Sequence, residues 1–182
     1  LRMLCDKDGL GVPARRITLS TVGLLPQLER LAREPLMPNL AISLHAPTDL
    51  QRGELVPINR KYGVADIIAA CRKFPLRKRS RITFEYVLLA GVNDGPGDAR
   101  RLARLLRGVK AKVNLIPLNA AVGIPFERPS DSVVDAFARI LAESDVTVSV
   151  RKSRGRDIRA ACGQLLVEGS KKSAGQQLAI MI

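Results

Sequence analysis

Cys162 is the residue whose setting most favours chemistry. Five cations precede it closely, Arg151, Lys152, Arg154, Arg156 and Arg159, and Gly163 follows it. Nearby positive charge stabilises a thiolate and lowers the thiol pKa. A glycine beside the sulfur leaves room for a close approach. Such a thiol suits nucleophilic attack. A small buried packing residue is the other reading, and the local residues leave both open. The remaining thiols differ. Cys71 falls on the apolar helical stripe Val64, Ile67, Ile68 and Cys71 and is expected in the core. Cys5 lies in an ambiguous lead-in and receives no role. Three scattered cysteines make no disulfide framework and fit a reducing, cytoplasmic compartment.

The other candidates come from the ends of β-rich runs. Strands are expected over 17–20, 40–44, 82–89, 113–116 and 146–150, with amphipathic helical stripes between them. That alternation implies a parallel α/β sheet with right-handed crossovers, either open or part of a (β/α) barrel. In such folds the working residues lie at the carboxyl ends of the strands. Those ends carry Ser20 and Thr21, then Ser43, Leu44 and His45, then Asn93 and Asp94, then Asn119, and finally Arg151 to Arg154. His45 is the single histidine, and its place at a strand exit raises it above an ordinary structural histidine. Glu85 either lines a barrel interior or pairs with an arginine, and the structural role is preferred. The stretch with Pro47, Gly53 and Pro57 reads as a loop, Asp98 as a helix cap, and 158–166 as a short helix.

Composition narrows the function classes. The 182 residues are 46% hydrophobic, enough for a core and too apolar for disorder. No apolar run approaches the roughly 18 residues of a membrane helix, so no membrane partner is expected. Nothing at the start reads as a secretion leader. Lys plus Arg is 30 against 17 acids, a net charge of +13, which points to a polyanion, most often nucleic acid. Aromatics at 3% argue against a base-stacking platform. No glycine-rich dinucleotide fingerprint follows a strand.

Several strings together resemble one family: RITLSTVG, LAISLHAP, VPINRKY, ITFEYVLLAGVND, VNLIPLN and VRKSRGRDIRAACGQL. They are similar to the bacterial radical-SAM, dual-specificity RNA methyltransferases that act on adenine carbon 2 in 23S rRNA and tRNA. The resemblance runs from about Arg16 to Leu165. It implies a radical-SAM partial (β/α)6 barrel. It implies S-adenosylmethionine held by Ser20, by Ser43, Leu44 and His45, and by Asn119. It implies that Cys162 carries the methyl group as S-methylcysteine. A second S-adenosylmethionine, cleaved at a 4Fe–4S cluster by an external reductant, would give the radical that activates that methyl. The complete protein would be a monomer.

The sequence also departs from the family. Residue 118 is Leu where members carry a bulky aromatic before the Asn. The CxxxCxxC cluster motif, a Gly-Glu stretch and a resolving cysteine are absent from these residues. The expected organisation is a lead-in over 1–15, the carboxyl-terminal portion of the barrel over 16–166 and a tail over 167–182. The first two βα units and an amino-terminal domain are then missing, and the chain alone is expected to be inactive. Alternatives are the related carbon-8 adenine methyltransferase, a non-catalytic basic RNA-binding module, and a phosphate-handling barrel enzyme. The last would need a glycine-rich phosphate loop, for which Ser153 to Gly155 is a weak candidate.

Overall fold

The computed structural model describes residues 1–119 and 124–151. Five strands form one wholly parallel sheet: β1 (Thr18–Thr21), β2 (Asn39–Ser43), β3 (Ile82–Leu88), β4 (Ala111–Pro117) and β5 (Thr147–Val150). Their order across the sheet is their order in the chain. Every crossover therefore steps the same way, and right-handed crossovers then place the main crossover helices on one face. The other face is left as the inner wall of a partial barrel. Among the described strands the order does not reverse, so they form no crevice of the doubly wound kind.

Among the described residues six α-helices accompany the strands: α1 (Arg2–Cys5), α2 (Leu25–Leu31), α3 (Asp49–Leu55), α4 (Val64–Lys73), α5 (Pro96–Leu105) and α6 (Asp131–Glu143). Alternation along the strands sends Leu40, Ile42, Ile82, Phe84, Tyr86, Leu88, Val113 and Leu115 to the helical face. There they pack on Leu28, Ile67, Ile68, Leu102, Phe137 and Leu141. Tyr86 and Phe137 rings lie 5.4 Å apart and tilted by 39°. Cys71 sits in this core, as its place on the stripe predicts, and burial pushes its thiol up to about 12. It has no access to the thiolate at neutral pH. No helix among the described residues is long and apolar enough to cross a membrane.

Two local expectations change. The stretch expected to be a loop around Gly53 contains α3 and a 3-10 turn (Pro57–Arg60). Thr48 caps α3, its Oγ1 accepting from the Gln51 amide at 3.3 Å. Gly53, at a cost of about 1 kcal/mol inside a helix, hides the helical signal. Asp98 is not the cap of α5. That position is Gly95, and Pro96 opens the helix. Asp98 lies in the first turn, where a carboxylate suits the helix dipole, and its Oδ1 accepts from Gln51 and Arg101.

Candidate functional site

The inner wall is polar in rows set by register. Ser20 on β1 stands beside Ala41, which pairs with Thr83, and Thr83 with Lys112. One step nearer the carboxyl rim, Ser43, Glu85, Asn114 and Ser149 stand side by side across four strands. Asn114 Nδ2 donates to Glu85 Oε2 at 2.7 Å, and Ser149 Oγ donates to Asn114 Oδ1 at 3.1 Å. Glu85 thus lines the interior and is tied to an amide, with no arginine partner among the described residues.

The chain leaves β2 through a tight turn centred on His45. The Ala46 amide donates to the Leu44 carbonyl at 2.8 Å, closing a three-residue turn, and His45 has φ of 60°. That backbone is costly for a residue with a Cβ, about 1–3 kcal/mol, and persists only where the surroundings impose it. They do so from both sides. The Val87 amide donates to His45 Nδ1 at 3.1 Å, and Asn93 Nδ2 donates to the His45 carbonyl at 2.7 Å. Asn93 also donates to the Val87 carbonyl and accepts from the Leu89 amide, so every polar atom of its side chain is used.

Arg52 holds the other side. It is fully buried. Its Nε donates to the Leu44 carbonyl at 3.0 Å, and its Nη2 to the carbonyls of Val22 at 2.7 Å and Ser43 at 3.2 Å. Its Nη1 donates to Asn59 Oδ1 at 2.8 Å. Asn59 in turn donates to Asp49, whose carboxylate accepts from the Val64 amide. Burial pulls the guanidinium down to about 10 while Asp49 opposes the fall, so it stays charged at neutral pH. One cation therefore pins the carboxyl ends of β1 and β2 together.

The consequence for His45 is chemical. Its Nδ1 accepts a hydrogen bond, so the ring proton of the neutral form sits on Nε2. Burial, and secondarily the Arg52 charge, holds its pKa down at about 3. Nε2 is buried and has no hydrogen-bond partner among the described residues. A buried donor left unpaired costs about 1–3 kcal/mol, which a ligand acceptor would recover.

That depressed pKa has a pH signature. The unfolded histidine titrates near 6.5 and the folded one near 3. Between these values the unfolded chain binds a proton that the fold excludes. The contribution is whole above the upper value and falls by about 1.4 kcal/mol per pH unit below it. Urea midpoints followed from neutral to mildly acidic pH should fall less steeply, by one proton's worth, in His45→Gln than in wild type. Parallel slopes would mean that His45 titrates alike in both states.

The sequence-predicted residues are brought together unequally. Ser20 and Ser43 face the inner wall on adjacent strands, and His45 follows Ser43 at the rim. Asn119 is half-buried two residues beyond β4, across β3 from them. Leu44 differs. Its side chain lies in the helix-facing core, its amide donates to the Glu85 carbonyl, and its own carbonyl accepts from both Ala46 and Arg52. It shapes the turn and offers a ligand no free polar group. Leu118, where an aromatic was expected, packs in a small cluster with Ala46, Val87 and Leu89. Cys162 lies outside the described residues, as does the helix expected over 158–166. Sequence reasoning missed Arg52 altogether and placed Asn93 at a strand exit without giving it a role. The available signal was an arginine seven residues after the lone histidine, and an asparagine at a strand exit.

No protein-family model matches the chain. It is 52% identical over 169 residues to "Dual-specificity RNA methyltransferase RlmN" of Anaeromyxobacter dehalogenans, covering 93% of this chain and 45% of that protein. To the protein of the same name from Xanthobacter autotrophicus it is 51% identical over 181 residues, 99% of this chain and 44% of that one. The chain thus spans about half the length of the curated relatives it matches. Among solved structures, a radical SAM methyltransferase from Sphaerobacter thermophilus superposes with a TM-score of 0.85 at 52% identity, over 90% of this chain and 48% of that one. A domain of pyruvate-formate lyase-activating enzyme from Bacteroides vulgatus shares the fold, with a TM-score of 0.58 at 15% identity over 74% of this chain and 80% of that one. A consecutive parallel sheet with a polar inner wall, and half of all aligned residues shared with these relatives, place the chain in the radical-SAM dual-specificity RNA methyltransferase family.

Proposed function

We propose that the full-length protein containing this chain methylates carbon 2 of an adenine in 23S rRNA and tRNA, with Cys162 as the methyl carrier. The observation that carries this reading is the 52% identity to a dual-specificity RNA methyltransferase across 93% of the chain. S-adenosylmethionine, when bound, supplies an electrophilic methyl group. The residues present fit it in chemical type, because the buried His45 Nε2–H has no acceptor among the described residues. In this reading Ser20, Ser43 and Asn119 supply further hydroxyl and amide groups to the cofactor. His45 stays neutral and donates, and the Arg52 and Asn93 clamps keep its turn in place. Cys162 acts as nucleophile, its thiolate favoured by the cations that precede it.

The described residues do not fit a 4Fe–4S cluster. No group of three or more His, Cys, Asp or Glu among them could hold a metal, and the Cys71 thiol is held protonated. Cluster ligands come from elsewhere in this reading. The test is anaerobic reaction of the full-length protein with S-adenosylmethionine, a reductant, and transcripts of 23S rRNA and tRNA. Nucleoside mass spectrometry should find 2-methyladenosine in both RNAs. Only 8-methyladenosine, or neither product, would overturn the proposal.

A further inference from the structure

The positive charge is unevenly placed on the fold. We propose that the amino-terminal rim of the sheet, opposite the rim of Ser20, His45 and Asn119, is a second RNA-binding surface that grips phosphate backbone without reading sequence. The inference rests on the reading above that the substrate is RNA.

Helices run against the strands, so their last turns and the connections that follow gather where the strands begin. The last turn of α4 brings Arg72 and Lys73, and its connection to β3 brings Arg77, Lys78, Arg79 and Arg81. The end of α5 and its connection to β4 bring Arg104, Arg107 and Lys110. The turn before β1 brings Arg15 and Arg16. Contacts join these segments into one surface. Arg72 Nη2 donates to the Arg107 carbonyl at 3.2 Å. The Ile82 amide donates to the Lys110 carbonyl at 2.9 Å. Arg77 donates to Asn39 Oδ1 at 2.9 Å, and Asn39 donates to the Arg15 carbonyl at 2.8 Å.

Acids are sparse there. Glu34 follows α2. Glu143 and Asp145 end α6 and line, with Arg100, Arg104 and Arg107, a groove of about 660 Å³ that borders the surface on the β5 side. Among the described residues the carboxyl rim is balanced instead, with Asp49, Glu54, Asp94 and Glu127 set against Arg60, Lys61 and Arg151. Both ion pairs found among the described residues, Arg101–Asp98 and Arg128–Asp131, also lie toward that end.

Two bland explanations fall short. An arginine-rich composition would load both rims alike. Cations in a last helical turn complement the helix dipole, which accounts for Arg72, Lys73 and Arg104. That effect fades within a turn and does not reach Lys78, Arg81 or Lys110 in the connections. A broad cationic band with few acids and no ion pair among the described residues fits a polyanion. Phosphate contacts of this kind position an RNA and carry no sequence information. The seven residues of β3 separate the rims by roughly 20 Å, so one RNA can present an adenine at one rim while another segment rests on the other.

The test uses full-length protein carrying Lys78→Gln, Arg81→Gln, Arg104→Gln and Lys110→Gln together. These side chains have no hydrogen-bond or ionic partner among the described residues. Binding of an RNA hairpin and of its sequence-scrambled version is titrated over a range of salt. The variant should bind both hairpins more weakly at low salt. Its slope of log affinity against log salt should be shallower by roughly three to four, about one per lost phosphate contact. Methyl transfer at saturating RNA should be unchanged while the KM for RNA rises. Curves that overlay wild type would overturn the proposal. If the wild-type protein binds neither hairpin, the RNA reading itself falls. Should the fourfold variant fail to fold, Lys78→Gln and Lys110→Gln singly should each lower the slope by about one.

Discussion

Cys162→Ala in the full-length protein is expected to abolish RNA methylation while leaving S-adenosylmethionine binding intact. No other thiol of the chain can substitute. Cys71 is buried on α4 with its thiol pushed up to about 12, and Cys5 ends α1 in the lead-in. The cofactor groups proposed above lie on other strand ends, Ser20, Ser43, His45 and Asn119, so binding is expected not to depend on the sulfur. Cys71→Ala provides the contrast. It trims a core contact for about 1 kcal/mol and should leave turnover unchanged. Mass spectrometry of wild-type protein should find an added methyl on the peptide containing Cys162 and none on that containing Cys71. Methylation by the Cys162→Ala protein would remove the methyl-carrier role.

Arg52→Met is expected to have the next largest effect. The substitution keeps an apolar stem and deletes a guanidinium bonded to three backbone carbonyls and to Asn59. Each buried acceptor left unpaired costs about 1–3 kcal/mol, so the loss should be at least roughly 3 kcal/mol. The Ser43–His45 turn then loses the clamp on its β1 side. A displacement of about an ångström at such a site can lower a rate roughly a hundredfold. Stability alone must be separated from positioning. Leu102→Ala, in the helical core, should cost about 2–5 kcal/mol and leave the rate of still-folded protein unchanged. Arg52→Lys keeps the charge but not the fork, and should fall between wild type and Arg52→Met. A wild-type rate in folded Arg52→Met protein would show that the turn needs no clamp.

The sequence by itself determined the alternation of strand and helix, because apolar periodicity is a property of neighbouring residues. It likewise placed Cys71 in the core and put Ser20, Ser43, His45 and Asn119 at strand exits. It did not reveal α3, where Gly53 between two prolines reads as a loop until the Thr48 cap and the packing of Leu55 are in place. The row Ser43, Glu85, Asn114 and Ser149 was invisible because register is decided between strands far apart in the chain. The left-handed turn at His45, its neutral ring and its unpartnered Nε2–H were decided only by tertiary structure. They depend on Val87 and Asn93, more than forty residues away, and on a buried Arg52 that local pattern reads as one more surface cation. The net charge of +13 was legible at once, whereas the gathering of Arg72, Lys73, Arg104 and their neighbours where the strands begin follows from helices that return antiparallel to the strands.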